Sequence, residues 1–193
     1  MTTVYFVLHA ESDHSNHDDK TRPLTSNGIK DRLLVSDYLQ DKNISVALSS
    51  PYKRAIDTVK HFADKNNLQI QIVDGFRERG IDSVWIDDFA QFSKNQWQDF
   101  GFKLTDGENL KEVQNRNIES LTRVLEQHEE KSIIIGTHGT ALSTIINYYD
   151  NSFGFEDFNE IVNVMPWIVR FSFENRICIE IEKIDLFRES MSL

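Results

Sequence analysis

Four side chains scattered along the 193-residue chain are of kinds that hold anions and move protons: His9, Arg54, Glu78 and His138. His9 ends the apolar run Val4-Tyr5-Phe6-Val7-Leu8, and His138 ends Ile133-Ile134-Ile135-Gly136-Thr137. Each imidazole therefore stands one step beyond a strand-like stretch. Arg54 lies in Ser49-Ser50-Pro51-Tyr52-Lys53-Arg54, where Pro51 suits the first turn of a helix. A guanidinium at that station joins the free amides of the helix start in facing an anion. Glu78 follows a third strand-like run, within Phe76-Arg77-Glu78-Arg79-Gly80. Taken singly, each passes for an ordinary structural or surface residue. At matching stations, the four can converge on one crevice.

The elements that must carry them alternate. Strands are predicted at 4–9, Val46 to Ser49, Leu68 to Val73 and Ser132 to Gly136, with two more near Trp167 to Phe173 and Ile177 to Ile184. Helical patterns fill Thr25 to Leu39, capped by Thr25 or Ser26, then Tyr52 to Asn66, Leu110 to Glu129 and Thr140 to Tyr149. Such alternation predicts an α/β fold: a three-layer sandwich with a mainly parallel sheet and helices on both faces. Ligands gather at the carboxyl ends of the strands in such sheets, which is where both histidines fall. Residues 81–107 differ in texture, holding Trp85, Phe89, Phe92, Trp97, Phe100 and Phe102. They read as a small helical insertion, either a cap over the crevice or a satellite core. Neither a repeat nor a linker divides the chain, so one domain is predicted over 1–193.

Composition narrows the partners. Lys and Arg number 21 against 31 Asp and Glu, a formal net charge of −10, which disfavours nucleic acid and anionic membrane surfaces. The sequence shows no signal core and no apolar run of membrane-spanning length. Its single cysteine, Cys178, sits in an alternating run and reads as a strand-packing thiol suited to a reducing compartment. A cytoplasmic protein is expected, with a homodimer compatible with the chain. The stretch Asp13-His14-Ser15-Asn16-His17-Asp18-Asp19 collects metal-ligating types, yet no helix organises His14 and His17. A solvated loop is predicted there, and no metal.

In sum these motifs resemble the histidine phosphatase superfamily, the phosphoglycerate-mutase-like group. The resemblance rests on His9 and Glu11 in LHAE, Arg54 in SSPYKRA, Glu78 in FRERG and His138-Gly139 in THG. Pro23-Leu24-Thr25 with Gly28, and Gly107-Glu108 followed by Arg116, are similar to further family segments. It implies hydrolysis of a small phosphorylated metabolite through a phosphohistidine, without metal or cofactor. His9 would be the nucleophile, Arg54 and His138 would hold the phosphoryl oxygens, and Glu78 would serve the leaving group and then water. Gly139 would adjoin the anion. True mutases of the group carry a longer insertion, so phosphatase ranks above mutase; a silent phosphate-binding protein is the rival from another class.

One position departs from the pattern. The family places an arginine before the nucleophilic histidine, where this chain has Leu8, followed by Ala10 instead of glycine. Losing a charged donor to a developing oxyanion costs on the order of 10²–10³ in rate. Impaired activity is therefore expected unless Arg22, Arg77, Arg79 or His14 fills the gap; where the missing guanidinium is the defect, Leu8→Arg is expected to raise turnover by at least about tenfold. Asn16 lies one residue out of register with the family's phosphate-contacting asparagine.

Overall fold

The computed structural model describes residues 1–83, 86 and 88–189. Trp85, counted above with the aromatic insertion, lies outside the described residues. Six strands form one sheet in the order β3-β2-β4-β1-β5-β6: β1 (Thr2–Leu8), β2 (Ile44–Ser49), β3 (Ile70–Ile72), β4 (Ser132–Thr137), β5 (Trp167–Glu174) and β6 (Ile177–Ile184). The pairs β1·β4, β2·β4 and β2·β3 are parallel, while β5 runs antiparallel to both its neighbours.

The pleat explains the two cores. Val4, Phe6 and Leu8 point to one face of β1 and pack with Ile133 and Ile135 of β4. That face is covered by α4 (Leu110–Gln127) and α5 (Gly139–Tyr149) through Leu121, Leu125, Leu142 and Ile145. Tyr5, Val7 and Ile134 point the other way, against α1 (Ser26–Leu39) and α2 (Lys53–Lys65) through Val35, Leu39, Val59 and Phe62. Central strands buried on both faces read as unbroken apolar runs, which is what β1 and β4 show. Among the described residues, no helix is long and apolar enough to cross a membrane.

Several boundaries differ from the sequence reading, each for a local reason. β3 starts at Ile70 because Leu68 N–H bonds Ala63 O at 2.9 Å and Asn67 turns with φ 54°, so Leu68 finishes the helix exit. Pro51 precedes the cap residue Tyr52 instead of occupying the first turn; the amide of Lys53 is met by Lys20 O at 2.9 Å. Thr25 is the cap of α1, its hydroxyl accepting from Gly28 N–H at 3.0 Å. Gly28 is needed there, since a Cβ would lie 2.2 Å from Glu11 O.

Among the described residues of the aromatic segment, α3 (Phe89–Gln98) is the regular element. Trp97 packs on Phe100, Phe153 and Phe158 at centroid separations of 5.5, 6.1 and 5.7 Å, so the insertion shares the main core. The helix α6 (Phe155–Ile161), opposite α3, had no sequence prediction, because Phe155, Phe158 and Ile161 cover less than two turns. A last short helix, α7 (Leu186–Glu189), follows β6.

Candidate active site

Parallel pairing sets the two histidines side by side. Leu8 of β1 is the register partner of Thr137 of β4, so His9 and His138 are the next residue on each strand. Their rings are 5.3 Å apart, edge to face. His9 borders a cavity of about 460 Å³ at the carboxyl ends of the parallel strands, walled also by Leu8, Arg22, Arg54, Glu78 and Gly139 among others.

His9 is fixed by its backbone. Its Nδ1–H donates to Ala10 O at 2.8 Å, and the Ala10 amide donates to Thr58 Oγ1 at 2.9 Å, which in turn donates to Arg54 O. That tautomer leaves Nε2 bare, accepting from Arg54 Nε–H at 3.1 Å. Burial, and then the Arg54 guanidinium, push the His9 pKa down to about 3, so the ring is neutral and its Nε2 lone pair available at neutral pH.

His138 is fully buried and lies one layer behind His9, outside the cavity wall itself. Ser50 Oγ bonds its Nε2 at 2.7 Å and Tyr52 lies edge-on at 5.1 Å. Its Nδ1 has no partner among the described residues. Burial and the Arg54 charge hold its pKa well below 6.5.

Arg54 is the second residue of α2 and almost fully buried. Beyond its contact with His9, its Nη1 donates to Asp19 O at 2.6 Å and its Nη2 lies 3.4 Å from Asp19 Oδ1. Arg22 reaches the same carboxylate oxygen at 2.9 Å while its Nε donates to Asn16 O at 2.8 Å. The intervening loop is closed by an antiparallel bridge between Ser12 and Leu24, reinforced by Asp13 N–H to Pro23 O and Thr25 N–H to Glu11 O. This closure brings Arg22 back beside His9. Glu11 itself faces away, accepting from the Thr25 hydroxyl at 3.0 Å.

Glu78 is anchored at both oxygens, by the Arg79 amide at 2.8 Å and by the Thr140 amide in the first turn of α5 at 3.0 Å. Its loop is clamped by Arg116, which donates to the carbonyls of Gly75, Arg77 and Glu78 and forks onto Glu108.

The remaining candidates separate clearly. Arg79 and His14 line the cavity. Arg77 is paired with Asp74 and Glu108 and is not part of the wall. Asn16 turns its side chain into its own loop, with Oδ1 accepting from the Asp18 amide, and only its carbonyl serves the site by holding Arg22. Within the loop, Asp13 and Asp18 accept from neighbouring amides. Among the described residues, no three His, Cys, Asp or Glu converge as a metal would require.

Sequence reasoning missed Asp19, Ser50 and Thr58. Only the Ser-Pro turn hinted at Ser50, and nothing local pointed to the other two, whose partners are distant in the chain.

The neutral, buried histidines make stability depend on pH. Their folded pKa values lie below 6.5, so the folded state binds fewer protons than the unfolded one as pH falls. Their contribution is complete above pH 6.5 and is lost progressively toward about pH 3 for His9. Each can contribute a slope of up to about 1.4 kcal/mol per pH unit in that window. Thermal melts are expected to shift down steadily from pH 7 to pH 5, with a shallower slope in His9→Asn. A melting temperature constant across that range contradicts this electrostatic picture.

The fold and its site place the chain among known proteins. The model of the histidine phosphatase superfamily (branch 1) matches residues 4–165, and the chain belongs to that superfamily. More particularly, it is 25% identical over 150 residues to "Uncharacterized phosphatase PhoE" of Bacillus subtilis (strain 168), covering 76% of each chain. Among solved structures, phosphoserine phosphatase from Entamoeba histolytica, in complex with 3-phosphoglyceric acid, superposes with a TM-score of 0.75 at 18% identity over 96% of this chain and 99% of that one. Bacillus stearothermophilus YhfR gives a TM-score of 0.73 at 18% identity, over 93% and 95%.

Proposed function

We propose that this protein hydrolyses a small phosphomonoester through a phosphohistidine formed on His9. The observation that carries the reading is a single carboxylate oxygen, Asp19 Oδ1, contacted by both Arg22 and Arg54 beside the bare Nε2 of His9. An anionic oxygen between two guanidinium groups is the arrangement a phosphoryl oxygen requires. Family membership and the phosphorylated ligand of the Entamoeba neighbour support the same chemistry.

In this reading the phosphoryl group enters between His9 and Arg54, with its oxygens on Arg54 and Arg22. The Nε2–P bond forms as the P–O bond to the leaving alcohol breaks, and Glu78 gives that oxygen a proton. Water then attacks phosphorus, Glu78 takes its proton, the N–P bond breaks, and phosphate leaves with the electron pair returned to Nε2. Charge on the phosphoryl oxygens is met by the guanidinium groups; His138, expected from the sequence to hold those oxygens, lies behind His9 and outside the wall. No cofactor enters this scheme. Arg22 takes the place of the arginine that Leu8 lacks, so the deficit expected from Leu8 is offset. The helices α3 and α6 would cap the site, since Phe89 and Phe155 form part of its wall.

Hydrolysis of p-nitrophenyl phosphate from mildly acidic to neutral pH, with His9→Ala as control, tests the reading. Turnover that depends on His9 is expected. Phosphate binding without turnover assigns the pocket to a binding protein instead.

A further inference from the structure

The guanidinium of Arg54 is met at all three of its nitrogens. Nε donates to His9 Nε2 at 3.1 Å, Nη1 donates to the carbonyl oxygen of Asp19 at 2.6 Å, and Nη2 lies 3.4 Å from Asp19 Oδ1. Nε and Nη2 share one edge of the planar fork, the edge that takes an oxyanion bidentately. That edge therefore spans the bare nitrogen of His9 and the Asp19 carboxylate. Arg22 Nη1 reaches the same carboxylate oxygen at 2.9 Å. A phosphoryl group seated between His9 and the two arginines needs the place that this oxygen fills.

The partners differ in how firmly they are held. Arg54 and Arg22 are buried, whereas the Asp19 side chain is 45% exposed and lines the cavity. Each guanidinium keeps anchors that do not involve the carboxylate: Arg54 has His9 and the Asp19 carbonyl, and Arg22 Nε has Asn16 O at 2.8 Å. The loop backbone is tied separately, by Arg22 N–H to Asp18 O and Lys53 N–H to Lys20 O, both at 2.9 Å. The Asp19 side chain is thus free to turn into water while its own carbonyl stays on Arg54. A half-exposed monoanion yields to a phosphate dianion at two guanidinium groups, since its own ion pairs are weakened by solvent. Once displaced, it still lies within a Debye length of the bound anion and repels it.

We propose that Asp19 is an internal competitor for the phosphate clamp: its carboxylate leaves as the phosphoryl group enters, and returns to weaken the hold on product phosphate. This deepens the phosphatase reading above and rests on it for the source of that phosphate. No covalent bond changes at Asp19; one ion pair replaces another.

Inorganic phosphate is the probe. Its dissociation constant by calorimetry at low salt, and its inhibition constant against p-nitrophenyl phosphate, are compared in wild-type protein, Asp19→Asn and Asp19→Ala. Both variants keep the backbone carbonyl that holds Arg54, and thermal melts check that they fold. Each is expected to bind phosphate at least about tenfold more tightly, with the inhibition constant falling by a similar factor and the gain shrinking at high salt. Unchanged affinity in both variants overturns the proposal. Weaker binding also overturns it, making Asp19 a residue that positions the two guanidinium groups. In either case, hydrolysis that depends on His9 leaves the phosphatase reading standing. Tighter binding in the variants of a protein that hydrolyses nothing supports the competition and overturns the phosphatase reading. No phosphate binding in any of the three proteins overturns both.

Discussion

Replacing His9 by alanine is expected to lower turnover of p-nitrophenyl phosphate at least about a thousandfold, with the fold retained. The size follows from the geometry. Arg54 and Arg22 would still bind the phosphoryl group, but the ring nitrogen that meets Arg54 Nε would be lost, and Nε2 of His138 is bonded to Ser50 in a ring that lies behind the wall. Water would have to attack a held ester directly. Binding of inorganic phosphate, measured by calorimetry, is expected to survive the substitution because its cations remain. Turnover that persists in His9→Ala would remove the histidine from the chemistry and leave the pocket with another nucleophile.

The second large effect concerns Arg22. Its substitution by alanine is expected to cost on the order of 10²–10³ in kcat/KM, the usual loss for one charged donor to a developing oxyanion. The position before the nucleophile makes a sharper form of the test available. Leu8 is 1% exposed, packed with Val4 and Phe6, and lines the cavity. If Arg22 fills the role of the missing arginine, Leu8→Arg should add only a few-fold in wild-type protein. In the Arg22→Ala background it should recover at least about tenfold. Equal gains in both backgrounds would mean that the two positions act independently, and that Leu8 remains an uncompensated defect.

The sheet, its helices on both faces and the strand-end stations of His9 and His138 were legible in the sequence, because the apolar runs of β1 and β4 are long and their termini abrupt. Arg54 was legible from the proline turn before α2. Arg22 was legible only as one of several cations. What selects it is the Ser12–Leu24 bridge, a tertiary pairing between two loop ends that leaves no periodic trace. Asp19 read as one carboxylate in a solvated run, and its side chain is indeed 45% exposed. Its role comes from two arginines that meet only when α2 and the loop are folded together.

The most direct measurement is a search for the covalent intermediate. Protein mixed briefly with substrate is quenched in alkali, digested and analysed by mass spectrometry. One phosphoryl group on the peptide carrying His9, absent from His9→Ala, is the predicted result. Steady turnover with His9 unmodified, or phosphoryl transfer to a different residue, contradicts the account.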